Sequence, residues 1–84
     1  MEKVWVVTAD DRKVGCWSVV HSNELAALRY VCEEIVFEEW SRTTRSFNYP
    51  ELTKEVCEGI IKEYEADEWP DTFFTIEEQV VHDV

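Results

Sequence analysis

Four apolar residues at a strict four-residue spacing, with acidic side chains between them, dominate the C-terminal half of the sequence. They are Leu52, Val56, Ile60 and Tyr64, and they predict a helix from about residue 50 to 66 with a single inner face. Pro50 suits the first position of such a helix. Because its other faces carry glutamates, this helix needs a second element to cover its one apolar side.

A second helical pattern lies earlier in the chain. Ser22 or Asn23 can cap its first turn, and the pattern runs to about Trp40. The apolar residues at helical spacing that form its inner stripe are Leu25, Leu28, Cys32, Ile35 and Val36.

The remaining segments are typical of β-strands. Residues 3–8 and 13–20 are rich in β-branched and aromatic residues, and the tight-turn sequence at 9–12 joins them into a hairpin. Gly15 indicates a bulge or a close packing approach in the second strand. Residues 72–84 form a third strand. The element order β-β-α-α-β predicts an α+β fold, a three-stranded sheet with two helices packed on one face.

Topology limits how the third strand can join the sheet. Strand 1 is the most continuously apolar, which favours a central position and the order 2-1-3. If the two helices pack antiparallel, strand 3 then runs parallel to strand 1. The alternative is a strand 3 beside strand 2 and antiparallel to it.

The register of the hairpin decides which side chains share a face. If the two residue numbers of each cross-strand pair add up to an even number, Trp5 and Trp17 lie on one face. The other face then carries Val4, Val6, Val14 and Cys16. Helices can cover only one of these apolar faces, and the uncovered one would serve dimerisation or partner binding. An odd sum separates the two tryptophans.

Length and charge narrow the function. The chain has 84 residues, enough for one domain over residues 1–84, with no linker that would divide it. Nineteen acidic and eight basic residues give a net charge of −11. Direct binding to nucleic acid or to an anionic membrane is disfavoured, because both need lysines and arginines. The expected partner is therefore a cationic protein surface.

Catalytic patterns are lacking in the sequence. The three cysteines form no close pair and indicate reduced thiols in a cytoplasmic protein. Cys16 lies five residues from His21, too far apart along an extended strand for a nucleophile and its base. No metal-ligand spacing, phosphate-binding glycine loop, signal peptide or membrane span is found. We expect a protein that is not an enzyme and needs no metal or cofactor.

The acidic residues are concentrated toward the C-terminus. Residues 46–84 carry a net charge of −9, whereas residues 1–45 carry −2. The predicted partner-binding residues are Glu55, Glu58, Glu63, Glu65, Asp67, Glu68, Trp69 and Asp71. Trp69 is an amphipathic residue of the kind enriched at interfaces, and its alternative role is a core residue that fastens the turn to the sheet. The alternative for the acidic tract is a solvated helix face with no partner.

In size, in charge and in the segments EVCEGIIKEYEADEW and IEEQVVHDV, the chain resembles the anti-defence proteins of bacteriophages, especially anti-CRISPR proteins. The resemblance is one of general character and identifies no site residues. It implies an acidic, non-catalytic inhibitor that occupies a nucleic-acid-binding surface of a CRISPR effector complex, a host ribonucleoprotein with a basic groove.

Two other functions fit the same residues. One is an antitoxin or immunity-type protein that covers the basic site of a nuclease or toxin. The other is a homodimeric interaction domain that uses the uncovered face of its sheet.

Overall fold

The computed structural model describes residues 2–42, 48–49, 51–67 and 70–81, and these form a sheet covered on one face by helices. The strands are β1 (Glu2–Asp11), β2 (Gly15–His21) and β3 (Thr72–Val81). The helical layer consists of α1 (Glu24–Tyr30), a π-helical segment (Val31–Val36), α2 (Phe37–Arg42) and α3 (Lys54–Glu65). The first three of these follow one another without a break, and together they are called the long helix here. The predicted α+β fold and its element order are confirmed.

The hairpin turn lies later in the chain than predicted. Residues 9–11 continue β1, and the turn occupies residues 12–14. The Asp11 carboxylate accepts hydrogen bonds from the backbone N–H groups of Lys13 at 2.8 Å and Val14 at 3.0 Å. Gly15 follows with φ +100°, a conformation that favours glycine, so it ends the turn and does not form a bulge within the strand. The predicted turn at 9–12 began too early. Asp11 makes the turn contacts, whereas Asp10 still pairs with Cys16 in the β-ladder.

The hairpin register has an even sum. Val7 pairs with Val19 and Ala9 with Trp17, so Trp5 and Trp17 lie on the same face of the sheet. Helices cover this face, and the Trp17 indole N–H donates to the hydroxyl of Tyr30 on α1 at 2.9 Å. Of the residues expected on the opposite face, Val14 instead lies in the turn.

The strand order β2-β1-β3 is as predicted, but the direction of β3 is not. Val7 pairs with Ile76 and Asp11 with Thr72, so β3 runs antiparallel to β1.

The prediction of a parallel β3 was wrong because the long helix and α3 run parallel and not antiparallel. At their N-terminal ends Lys54 Nζ lies 2.9 Å from Glu24 Oε1, and near their C-terminal ends the Tyr64 hydroxyl bonds to the Glu39 carboxylate. The chain therefore returns from Arg42, at the end of the long helix, to Thr53, near its start. The eleven Cα–Cα steps from Arg42 to Thr53 can span about 35 Å, more than the roughly 28 Å length of that helix.

Two contacts mark this return path. The Tyr49 ring stacks on Phe37 with centroids 5.7 Å apart, and further along the chain the Leu52 carbonyl accepts from Arg29 Nε at 2.9 Å. The path thus passes α2 first and α1 second, which places the start of α3 beside the start of the long helix.

The long helix is wider than a regular α-helix in its middle. Its buried residues include Leu28, Cys32, Val36 and Trp40, each four positions after the last. Around a regular α-helix this spacing drifts by about 40° per step. The wider turns of the π-helical segment counter the drift, so Trp40 still reaches the core.

Helix α3 begins at Lys54, later than the predicted start near residue 50. Thr53 is its N-cap, and the Thr53 hydroxyl accepts from the Val56 N–H at 3.3 Å. Pro50 lies outside the described residues. The inner face consists of Cys57, Ile60 and Tyr64, all buried.

Two of the three cysteines lie in the core. Cys32 and Cys57 are buried where the long helix meets α3, and all three cysteines are free thiols. Burial raises the pKa of Cys32 to about 12, so this thiol stays protonated at neutral pH. Both residues pack as small apolar side chains.

We expect Ile60→Ala to lower the free energy of unfolding by about 2–5 kcal/mol, because Ile60 is only 2% exposed and its loss leaves a cavity. Ile61→Ala is the matched control, since Ile61 is half-buried and one position around the same helix. Chemical denaturation measures both. Equal losses from the two variants would show that the inner face of α3 is assigned wrongly.

Candidate functional site

Helix α3 holds four of the eight predicted partner-binding residues. Its acidic side chains are exposed to solvent, as is Asp67 just beyond its end; these residues are Glu55, Glu58, Glu63, Glu65 and Asp67. Burying Cys57, Ile60 and Tyr64 turns the intervening positions outward, since neighbouring residues on a helix lie about 100° apart. The exposure of these carboxylates thus follows from the packing of α3.

The five carboxylates do not form one compact patch. Glu58 and Glu65 line a groove between α3 and β3, and Glu55 lies on the outermost side of the helix. The positions of residues along the helix place Glu63 on the flank opposite Glu58. Lys54 Nζ lies 3.9 Å from Glu58 Oε1, one helical turn away.

Asp71 lies apart from α3, at a second acidic location. It lines a cavity of about 250 Å³ where the long helix meets the hairpin turn. The carboxylates around this cavity are Asp11, Glu34, Glu38, Glu39 and Asp71, with the cation Arg42 and the Trp17 ring beside them. The remaining two predicted residues, Glu68 and Trp69, lie outside the described residues.

The cavity carboxylates of the long helix were missed by sequence reasoning. Glu34 and Glu38 are one helical turn apart, so their spacing predicts that both side chains lie on the same face of the helix. What the sequence did not reveal is that the hairpin turn and the start of β3 face them. That juxtaposition depends on β3 running antiparallel to β1.

The Glu39 carboxylate has a structural role in this cavity. Its Oε1 accepts from the Asp71 N–H at 3.0 Å, and its Oε2 accepts from the Tyr64 hydroxyl. The same hydroxyl accepts from the Thr72 N–H at 3.2 Å and lies 2.8 Å from the Thr72 carbonyl oxygen. A single hydroxyl proton goes preferentially to the charged acceptor, Glu39.

Burial, followed by the contact with Glu39, raises the pKa of Tyr64 well above its ordinary value. The phenol is therefore protonated at physiological pH and acts as a neutral donor. These bonds tie the C-terminal ends of the long helix and α3 to the first residue of β3. The two side chains, Glu39 and Tyr64, and the Asp71–Thr72 backbone are together called the Tyr64 cluster.

Asp11 supports the same corner of the molecule. Its Oδ2 accepts from the Thr72 hydroxyl at 2.7 Å, and this bond, with those from the turn backbone, lowers the pKa of its carboxyl group. Asp11 therefore remains charged and joins the hairpin turn to β3.

The groove between α3 and β3 has an apolar floor. Leu28, Ile61, Phe74 and Ile76 form the floor, and Glu58, Lys62 and Glu65 stand along its α3 side. β3 is an edge strand, and within the described part of the chain no strand pairs with its outer side.

No described helix covers the outer face of the sheet. Val20 is 62% exposed there and Phe73 55%, and Cys16 is exposed on the same face. The acidic residues of this face are Glu2, Asp10 and Glu77, and the described strand positions that point the same way include no basic residue. A second copy docked on this face would therefore meet like charges.

The chemistry expected of a nucleophile or a metal site is not assembled among the described residues. Cys16 and His21 are five positions apart on β2 and so point to opposite faces of the sheet. The Asp10 side chain raises the pKa of Cys16, which makes this exposed thiol a poor nucleophile. Within residues 2–42, 48–49, 51–67 and 70–81, no group of three or more histidine, cysteine or acidic side chains is arranged to hold a metal ion.

Among the described helices, none is both long and apolar enough to cross a membrane.

No protein-family model, curated protein or solved structure matches this chain.

We expect Tyr64→Phe to destabilise the protein by about 1–3 kcal/mol, because it leaves the Thr72 N–H and one Glu39 oxygen without their partner. Tyr49→Phe is the matched control, as Tyr49 contributes a stacked ring to the core. Thermal unfolding measures both. An unchanged midpoint for Tyr64→Phe would show that the Tyr64 cluster does not hold β3 in place.

Proposed function

We propose that this protein is a non-catalytic inhibitor whose acidic helical layer binds a positively charged nucleic-acid-binding surface of a host protein complex. The favoured setting is a bacteriophage anti-CRISPR protein that acts on a CRISPR effector complex in the host cytoplasm. The inhibitor binds no nucleic acid itself and competes for the surface that does.

The observation that carries this proposal is the separation of charge between the two layers. The described residues of the helical layer, 24–42 and 51–67, include eleven acidic and four basic side chains. The described residues of the sheet layer, 2–21 and 72–81, include five acidic and three basic side chains. The negative electrostatic potential is therefore strongest on the helical side, and it steers a cationic surface toward the helices.

A groove that holds a phosphate backbone presents lysines and arginines to it. Exposed carboxylates can accept the same charge-assisted hydrogen bonds, two at once from an arginine. The acidic side chains of α3 are spread over several faces of one rigid helix. They can therefore meet a concave basic surface from more than one side.

The position of the carboxylates has a cost for the fold. Glu63 and Glu65 lie in the last turn of α3, where the negative end of the helix dipole disfavours each exposed carboxylate by about 0.3–1 kcal/mol. Lys62 is the one basic residue in that turn. Retaining acids where lysine or arginine would stabilise the helix supports a role in binding.

An antitoxin or immunity-type protein is the second candidate, since the same acidic surface would cover the basic site of a nuclease. The two functions differ only in the partner. A homodimer through the outer sheet face is the least supported, because the carboxylates Glu2, Asp10 and Glu77 lie on that face.

The test is charge reversal on the helical layer. Glu55, Glu65 and Asp67 are changed together to lysine, and the affinity for purified CRISPR effector complexes is measured by surface plasmon resonance. We expect a loss of about 100-fold, since all three carboxylates are exposed and attract the partner. Reversing charge near the end of α3 should leave the melting temperature unchanged or raise it.

The matched control reverses Glu2 and Asp10 on the outer sheet face, and it is compared with a variant that reverses only Glu55 and Asp67, so that the net charge of the protein changes equally in both. The sheet variant should keep most of the affinity. Equal losses in the two variants would show that only net charge matters and that the helical layer is not the binding surface. Binding to basic nucleases but to no effector complex would establish the antitoxin function instead.

A further inference from the structure

The outer edge of β3, with which no other described strand pairs, lies beside the groove between α3 and β3. In an edge strand, every second residue directs its N–H and C=O groups away from the sheet. β3 is ten residues long, and its inward side chains Phe74 and Ile76 form part of the groove floor. A strand added to this edge would therefore place its own inward side chains next to them.

We propose that an extended segment of the partner protein adds to the outer edge of β3 and buries alternate apolar side chains in the groove against α3. The proposal rests on the proposed function in taking the occupant from a basic partner protein. Backbone hydrogen bonds to β3 would supply affinity, and the groove would select the side chains.

The dimensions of the groove define the segment. Glu58, Ile61 and Glu65 follow one another along the flank of α3 that faces β3, over a length of about 10 Å. Alternate residues of a strand are about 6.6–7 Å apart, so two inward side chains fit along this length. The floor, formed by Leu28, Ile61, Phe74 and Ile76, is apolar and requires those two side chains to be apolar.

Charge determines the rest of the segment. Glu58 and Glu65 stand at the α3 side of the groove with the single cation Lys62, so the groove attracts a basic segment. Residues next to the two apolar ones point to the outer face of the sheet, where Glu77 of β3 lies. A lysine or arginine at such a position would pair with Glu77.

A second copy of this chain does not fit the same edge. Pairing β3 with another β3 would bring Glu77 of both copies onto one outer sheet face, where the described strand positions include no basic residue, whereas Glu78 is paired with Lys3 at 3.1 Å. Like charges on adjacent strands are destabilising. The occupant is therefore a basic and apolar strand from a different protein.

The experiment uses a ten-residue peptide in which valine alternates with lysine, with blocked ends, titrated into the full-length protein at moderate salt. Amide hydrogen exchange of the protein is read by NMR. We expect protection of alternate β3 amides to rise at least tenfold when the peptide is bound. A peptide of the same composition with its five valines and five lysines in separate blocks should bind weakly and protect none of them.

Two protein variants locate the site. Ile61→Lys places a charge in the groove and should weaken binding of the alternating peptide at least tenfold. Val14→Lys makes the same charge change at a hairpin-turn residue that is 80% exposed, and it should alter binding by less than threefold. If Ile61→Lys does not fold, Glu65→Lys at the exposed side of the groove replaces it, with the same expectation.

The proposal is overturned if the alternating peptide does not bind, if it binds without protecting β3 amides, or if the groove variant binds as tightly as wild type. If one of these results is found while the helical charge-reversal variant does lose effector binding, strand addition is rejected and the proposed inhibitor function stands. If the groove variant keeps peptide binding and the helical charge-reversal variant keeps effector binding, both proposals are rejected.

Discussion

The hydrogen bonds of the Tyr64 hydroxyl hold the two layers of this protein in their relative positions. They connect the Glu39 carboxylate on the long helix, the buried end of α3 and the backbone of Thr72 at the start of β3. Because the phenol is buried and its pKa is raised, these bonds are unaffected by pH in the physiological range. The direction of β3 relative to the helices is fixed at this point.

The features that suggest binding follow from this geometry. With its first residue held beside the end of α3, β3 runs back along β1 as an edge strand, and its inward side chains face α3. The parallel helices and the residues that flank α3 carry eleven of the acidic residues in one layer, which the balanced charge of the hairpin does not offset. The exposed carboxylates of this layer lie outside the apolar core, so its packing does not require them, whereas Glu39 is held by Tyr64 and the Asp71 N–H.

Local patterns in the sequence predicted the elements well. Four of the five residues assigned to the apolar stripe of the long helix, Leu28, Cys32, Ile35 and Val36, are buried, whereas Leu25 is only partly buried and the small residues Ala27 and Val31 were missed. The fold class was correct because helical and strand patterns report on which side of an element is covered, and the strand order was correct because strand 1 is the most continuously apolar.

Predictions that depended on chain direction failed. Nothing in residues 41–50 indicates that the connection returns along the full length of the long helix, and assuming a short return made the helices antiparallel and β3 parallel to β1. The hairpin turn was misplaced because either aspartate could supply the turn acceptor, and the structure uses Asp11.

The acidic site was predictable only in part. The exposed carboxylates of α3 followed from helical periodicity. The carboxylate cavity and the groove beside β3 did not, because each combines residues from distant segments. Asp71 and Glu34, for example, meet at the cavity only through the antiparallel pairing of β1 with β3.

The central claim is that the acidic helical layer occupies a surface that otherwise binds nucleic acid. The most direct measurement is a competition titration in which this protein is added to a CRISPR effector complex bound to fluorescently labelled target DNA. The account predicts that the DNA is displaced, with an apparent inhibition constant that rises in proportion to the DNA concentration. If the protein binds the effector at saturation while the DNA remains fully bound, the claim is contradicted.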